Sequence, residues 1–337
     1  MSKYEEQTQK FSTFGSKLLQ HADVLSDVQK FGVWKPVTVQ ICPVAVCDSK
    51  CEFCSVANRD LSLRMTIEQI KEGLKQFKLL GAKAVEFTGG GNPLLFKHIK
   101  QAIDYAYEIG YDIGIISNSE NPSKFLDQEH FEKITWYRSS LTKLEEGKTV
   151  ADFNFDTIPK GKLGFSHIMN VRTTPETIKQ IAELVERYPG VKFVRIAGNC
   201  LDGKKIEETE KRWGELIEES NVSKKFFIKN IGTNHRAYPN FCGVGPIRPY
   251  VGEDGFIYIC SSHVLKYRKL HDDYRIGHIS NVMLMYKKIN QMFQATGKPY
   301  DIDISKCGEC FYFNNNKLLH TISSGYKKWR DVDANFA

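Results

Sequence analysis

At 337 residues the chain is long enough to bury a large core and to hold one barrel of roughly 200 residues plus a smaller module. Its composition, 41% hydrophobic and 26% charged, excludes bulk disorder and low-complexity architecture, and no solenoid-length repeat is recognisable. The net charge of +7 leaves an acidic partner open, whereas the lack of any run of roughly eighteen apolar residues excludes a membrane-spanning helix.

The N-terminus, beginning Met1-Ser2-Lys3-Tyr4, has no apolar segment of the kind that marks a secretory signal, so a cytoplasmic protein is expected. In that reducing setting the nine cysteines are expected to be metal ligands or core residues rather than disulfides. Residues 1–35 read as an N-terminal helical extension, with Phe11, Phe14, Leu18 and Leu19 at mixed helical spacing. Residues 37–42 are β-rich and run into Pro43, which makes them a strand. Just past that strand's C-terminal end, where α/β folds place active sites, come Cys47, Cys51 and Cys54 in a CxxxCxxC run. Three thiolates so spaced can hold three irons of a cubane 4Fe-4S cluster and leave the fourth iron open to a small molecule. The alternative is zinc, but structural zinc sites close a tetrahedron, and no fourth Cys or His stands within this loop.

Residues 66–80 carry Ile67, Ile70, Leu74 and Phe77 at helical spacing, and residues 84–88 read as the next strand. The turn Gly89-Gly90-Gly91-Asn92-Pro93 follows, where glycine lets backbone approach a ligand more closely than a Cβ would allow. Further strands are expected at 113–118, 136–141, 163–168 and 192–196. Helices are expected at 174–188, opened by Thr174-Pro175-Glu176, and at 205–219.

This order of strand, cysteine loop, helix, strand and glycine turn resembles the radical S-adenosylmethionine superfamily, in which a CxxxCxxC loop follows the first strand of a partial (β/α)6 barrel. Phe53 stands where that family commonly has an aromatic before the third cysteine. Gly90-Gly91-Asn92, after Gly89, matches a glycine-glycine-glutamate motif that presents backbone and a carboxylate to the amino group of S-adenosylmethionine. Asn92 departs from the glutamate: its amide oxygen accepts a hydrogen bond but supplies no counter-charge. The resemblance further places Asn118 where the family often has Thr-Asn-Gly, and Ser140 where a serine faces the ribose. By position, Asn170 and Arg172 would reach the ribose and methionine carboxylate, and Ile196 would flank the adenine. It implies an enzyme that chelates S-adenosylmethionine at the open iron. One-electron reduction then gives a 5′-deoxyadenosyl radical that takes hydrogen from an unactivated carbon. A low-potential donor such as flavodoxin or ferredoxin would supply the electron.

The C-terminal third holds a second set. Cys242 is followed after seventeen residues by Cys260, at the end of a glycine turn and strand, and after forty-six more by Cys307 and Cys310 in a CxxC. Four thiolates can complete a second cubane or, on ligand chemistry alone, a structural zinc knot. The pattern is similar to the twitch auxiliary-cluster domain, the shorter relative of the SPASM domain. Helices are expected near 281–293 and at 316–330, and Phe311, Tyr312 and Phe313 would shield the cluster. His263 reads as a cluster-tuning group or a polar loop residue. The fold class is thus α/β: a partial (β/α)6 TIM-like barrel over 36–222, after the 1–35 extension, with a small α+β auxiliary iron-sulfur domain over 223–337.

Cys42 reads as a small core residue, and Cys200, past the last expected barrel strand, as a hydrogen donor, a substrate contact or an ordinary thiol. The expected reaction is a net oxidation or tailoring step aided by the second cluster. Small molecules, peptides or proteins, and nucleotides or nucleic acid remain as substrates. Some 35 residues before the first strand are too few for the leader-binding domain of many peptide-modifying relatives. Lysine pairs at 204–205, 224–225, 287–288 and 327–328 permit nucleic acid, although such pairs commonly mark solvated helix ends. A reading of another class is a non-catalytic iron-sulfur or zinc scaffold, in which Asn92 marks loss of the S-adenosylmethionine site.

Overall fold

A computed structural model describes residues 15–201, 206–219, 225–229, 241–265, 267–307 and 310–328. The expectations for residues 1–14, Lys204, Lys205, Lys224, Gly308, Glu309 and residues 329–330 therefore lie outside the described residues.

One ten-stranded sheet organises the chain, in the order β10-β9-β8-β1-β2-β3-β4-β5-β6-β7. Seven strands follow one another in parallel: β1 (Thr38–Ile41), β2 (Ala84–Phe87), β3 (Asp112–Ser117), β4 (Trp136–Ser140), β5 (Leu163–Met169), β6 (Val194–Gly198) and β7 (Phe226–Lys229). Six were expected. The seventh is a short apolar stretch whose pairing with β6 no local pattern announces.

The sheet does not stop there. Strand β8 (Tyr250–Val251) lies parallel to β1, and β9 (Phe256–Tyr258) and β10 (Arg275–His278) continue antiparallel. Four-residue β1 thus has a barrel strand on one side and a strand of the C-terminal segment on the other.

Helices cover one face. In α2 (Ile67–Leu79) the residues Ile67, Ile70, Leu74 and Phe77 are buried, as the 3.6-residue period requires. Thr66 caps it: Gln69 N donates to Thr66 Oγ1 at 3.1 Å and Thr66 N to Gln69 Oε1 at 2.8 Å. Burying a side chain such as Phe77 contributes about 1.5–3 kcal/mol. These residues share a core with Val39, Ile41, Val85, Phe87, Ile113 and Ile115 from the strands.

The remaining helices are α1 (Ala22–Phe31), α3 (Ile99–Glu108), α4 (Gln128–Lys133), α5 (Pro175–Arg187), α6 (Ile206–Glu219), α7 (Val282–Thr296) and α8 (Phe313–Lys328), besides short turns. Pro175 opens α5 under a Thr174 cap. Lys287 and Lys288 are exposed on α7, and Lys225 Nζ donates to the Pro189 carbonyl at 2.5 Å. No described helix is long and apolar enough to cross a membrane.

Candidate active site

The cysteine loop leaves β1 at its C-terminal end and is pinned by backbone at several points. Cys42 N donates to Val251 O at 2.9 Å, and Ala45 N to Leu63 O at 3.0 Å. Two arginines then hold the turn bearing Cys54. Arg59 donates from Nε to Ala45 O at 2.6 Å and from Nη1 to Val56 O at 2.9 Å, with Cys54 Sγ at 3.5 Å. Arg268 donates to Cys54 O at 3.0 Å and to Glu52 O at 2.6 Å. Arg268 belongs to the C-terminal segment and takes a φ of 54°, in the left-handed region.

Cys47, Cys51 and Cys54 are half-buried and close enough to repel one another as thiolates. Burial, with Glu146 nearby, pushes the Cys51 thiol up to about 12, and burial also raises Cys47. Burial thus disfavours the thiolate form at Cys47 and Cys51, which a bound cation would favour. Beside them a space of about 240 Å³, partly open to solvent, is lined by Lys50, Cys51, Glu52, Phe53, Thr142, Glu145, Glu146, Asn170 and Arg172.

The glycine turn meets this loop directly. Gly91 N donates to Val44 O, and Asn92 N to Val46 O, both at 2.9 Å. Asn92 is buried, and its amide oxygen accepts from Leu94 N at 3.1 Å and Ser117 Oγ at 2.9 Å. Both lone pairs are therefore in use. Its amide nitrogen donates to Asp48 Oδ1 at 3.1 Å, where Asn118 Nδ2 also donates at 3.0 Å. Lys143 reaches Asp48 Oδ2 at 2.7 Å. Burial opposes the Asp48 charge, but hydrogen bonds from Lys143, Asn92 and Asn118 hold its carboxyl below the usual range.

Asn170 and Arg172 lie across that space. Asn170 Nδ2 donates to Glu145 Oε2 and to Ile168 O, each at 2.8 Å, and Arg172 pairs with Glu52. Ser140 ends β4. Ile196 is central in β6 rather than near its end and is fully buried in the main core, while Arg195 and Ala197 project to the opposite face. Cys200, just past β6, is half-buried near Arg195.

The second cysteine set comes together from three separate segments. Cys242, Cys260, Cys307 and Cys310 all line one cavity with about 450 Å³ of empty space, part of it open to solvent. Phe241, Val244, Ile259, Ile304, Phe311 and Tyr312 complete much of the wall. Burial pushes Cys242 up to about 12 and raises Cys260 and Cys310. Asn316, itself buried, donates to Cys310 Sγ at 3.6 Å and Cys242 Sγ at 3.9 Å, while its oxygen accepts from Gly243 N at 2.8 Å. His263 is a buried ring, not a surface loop residue: it stacks on Tyr258 at 4.2 Å, and Nδ1 donates to Cys260 O at 2.6 Å.

Cysteine thiolate is a donor for iron-sulfur clusters as for zinc, so the donor chemistry of both sets fits a 4Fe-4S cluster. Among the described residues no three cysteine sulfurs lie within 4.8 Å of one another. Cys42 is fully buried and joins neither set. None of the nine cysteines is disulfide-bonded.

Sequence reasoning did not single out Arg59, Asp48, Lys143, Arg268 or Asn316. Three were near in sequence: Asp48 stands inside the cysteine run, Arg59 five residues after Cys54 and Asn316 six after Cys310, whereas Lys143 and Arg268 reach the site through long-range packing.

A family model described as the radical SAM superfamily matches residues 41–211. Among solved structures, Streptococcus suis SuiB bound to precursor peptide SuiA is similar at 15% identity, over 88% of this chain and 72% of that one, with a TM-score of 0.54. The same protein bound to S-adenosylmethionine is similar at 14% identity over 89% and 75%, with a TM-score of 0.54. Native anSMEcpe with bound AdoMet and Kp18Cys peptide is similar at 14% identity over 84% and 88%, with a TM-score of 0.50. No curated protein matches the sequence.

Proposed function

The chain belongs to the radical S-adenosylmethionine superfamily and is an enzyme, and on that premise we propose that Cys47, Cys51 and Cys54 are the ligands of its 4Fe-4S cluster. When bound and reduced, this cluster supplies the electron that cleaves S-adenosylmethionine, and so the radical chemistry that takes hydrogen from substrate carbon. The carrying observation is the loop of three thiols near enough to interact electrostatically, with Cys51 on the wall of a polar space and the glycine turn bonded to the loop backbone.

In this reading the chain's own residues do the positioning. Gly89, Gly90 and Gly91 offer backbone to the ligand's amino group, and Phe53, Asn118, Ser140, Asn170 and Arg172 line its bed. Asn92 acts by holding Asp48 and Ser117, because its oxygen is already saturated. Asp48 is the nearby carboxylate that Asn92 itself does not provide. Ile196 supports the sheet behind that bed.

Cys242, Cys260, Cys307 and Cys310 are proposed to hold a second 4Fe-4S cluster, in a C-terminal module of the twitch type over 223–337 beside the barrel of 36–222. Full protein ligation leaves no open iron, so this site suits electron transfer and a net oxidation of substrate. Cys200, just past β6 and near Arg195, is proposed as a hydrogen donor or substrate contact. Peptide is the second substrate reading beside small molecules, favoured by the peptides held in two structures of similar fold.

Metal and sulfide content on protein reconstituted without oxygen tests this. About eight irons with matching sulfide, and release of 5′-deoxyadenosine on reduction, are expected. Zinc without sulfide overturns the reading.

A further inference from the structure

The sheet face opposite the helix-covered core carries more cation than its own carboxylates can balance. Register puts Gln40 beside Glu86, Ile116 beside Arg138, and Ser166 beside Arg195. Side chains alternate along a strand, so these positions share the face opposite Val39, Val85, Ile115 and Val194 of the core. Arg248, just before β8, comes in beside them and pairs with Glu86, which also accepts from Gln40 Nε2 at 2.9 Å. Half-buried Lys17 approaches Glu86 and Arg248 from the N-terminal segment.

Among the described residues, four cations therefore converge on one carboxylate: Lys17, Arg138, Arg195 and Arg248 on Glu86. Arg248 is matched by Glu86. Arg138 and Arg195 are not matched: each keeps a buried Nε with no hydrogen-bond partner, and the two repel each other. Enclosing a guanidinium without a counter-ion costs several kcal/mol. Burial, with Arg195 beside it, pulls Arg138 down to about 9, and burial also lowers Arg195. Both side chains are half-buried, not sealed, so each still has a face open to a ligand.

We propose that Arg138 and Arg195 form an oxyanion site inside the barrel that takes a carboxylate or phosphate of the substrate. Guanidinium is suited to this because its planar fork matches both groups with paired hydrogen bonds. The location fits a substrate rather than a stray ion. Tyr312, whose hydroxyl accepts from Arg248 at 3.3 Å and meets Ser261 Oγ at 2.9 Å, lines the four-cysteine cavity too. Phe311, from the same cavity wall, packs on Ala197 beside Arg195. A molecule anchored by its anionic end here would lie beside the four-cysteine cavity. That it is the enzyme's substrate rests on the radical reading; that it is an anion rests on the arginines.

The test uses the full chain, reconstituted without oxygen and titrated with inorganic phosphate or with acetate at constant ionic strength. Calorimetry is expected to show saturable binding of one probe. Preference for phosphate would name a phosphorylated substrate, and preference for acetate a carboxylate. Arg138→Gln and Arg195→Gln should each weaken that binding about tenfold, with Arg195→Lys weakened less. No saturable binding of either probe to the unaltered protein overturns the proposal, whether or not the variants fold. Unchanged binding in the two glutamine variants overturns it equally. Reductive cleavage of S-adenosylmethionine by the unaltered protein separates the premises. Cleavage without anion binding defeats this site alone, and anion binding without cleavage defeats the radical reading alone.

Discussion

The two cysteine sites use the same thiol chemistry in opposite surroundings. The triad sits within eight residues of sequence, and its Cys51 shares a space with Lys50, Glu52, Glu145, Glu146, Asn170 and Arg172. The foursome is gathered across Cys242 to Cys310 and faces Phe241, Val244, Ile259, Ile304 and Phe311. A polar, incompletely ligated site is built to exchange a charged ligand, whereas an apolar, fully ligated one is built to hold its group away from water. In the proposed two-cluster reading, ligand count and wall chemistry, not the cysteine itself, divide the work.

Cysteine replacement should break the comparison most sharply. Changing Cys47, Cys51 and Cys54 to Ala should remove about four of about eight irons and abolish 5′-deoxyadenosine release. Changing Cys242, Cys260, Cys307 and Cys310 should remove a similar number yet leave reductive cleavage of S-adenosylmethionine measurable. Loss of all iron from either set would mean that one site is structural for the other, and the division of labour would fall.

Gly91→Ala strikes only the triad side. A Cβ there would overlap the Val46 carbonyl oxygen and crowd Ala45, both backbone of the cysteine loop, so no side-chain rotation relieves it. Binding of S-adenosylmethionine, followed by equilibrium dialysis, should weaken by at least about tenfold, equivalent to roughly 1.4 kcal/mol. Spectra of the four-cysteine site should not change. Retained affinity would show that the turn does not set the ligand bed.

Asn316→Ala probes the other side. It removes the amide donor to Cys310 and Cys242 and leaves the Gly243 N–H without its acceptor. Hydrogen bonds to ligand sulfur stabilise the more negative, reduced state, so the midpoint potential of the second cluster should fall while the first stays put. Losing a buried acceptor should also cost about 1–3 kcal/mol of stability. A redox titration followed by electron paramagnetic resonance reads both potentials; equal shifts would sink the assignment.

What the sequence showed follows the same divide. The triad, the Thr66-capped helix and strands β1 to β6 were legible because each signal lies within one short window. Pooling of Cys242, Cys260, Cys307 and Cys310 was legible from residue type alone. What was hidden is long-range: β8 joining β1, Arg268 reaching Cys54, and Arg248 meeting Glu86. Ile196 shows the same limit from the other direction. Its strand was recognised, but a boundary two residues later moved it to mid-strand, and only its packing shows which face it occupies.

Glu253 joins the two regions and bears on stability rather than on either site's chemistry. It follows β8, is fully buried, and neither carboxylate oxygen has a hydrogen-bond partner. It packs against Gly90 of the turn, where an added Cβ would overlap it. Burial raises its carboxyl to about 7. The folded chain therefore holds this proton more tightly than the unfolded one, whose carboxyl keeps the ordinary value near 4.3. Its contribution is fully present below that ordinary value and is lost as pH rises to about 7, at most about 4 kcal/mol in all. Glu253→Gln, which cannot ionise, should be flat over this window, so its urea midpoint should match the parent near pH 4.5 and exceed it at pH 8. Both proteins carry the same cysteine sites, so cluster loss on unfolding cancels in the difference. Parallel pH profiles for the two would mean that Glu253 finds a cationic partner in solution, and the seam between the sites would then be an ion pair rather than a buried acid.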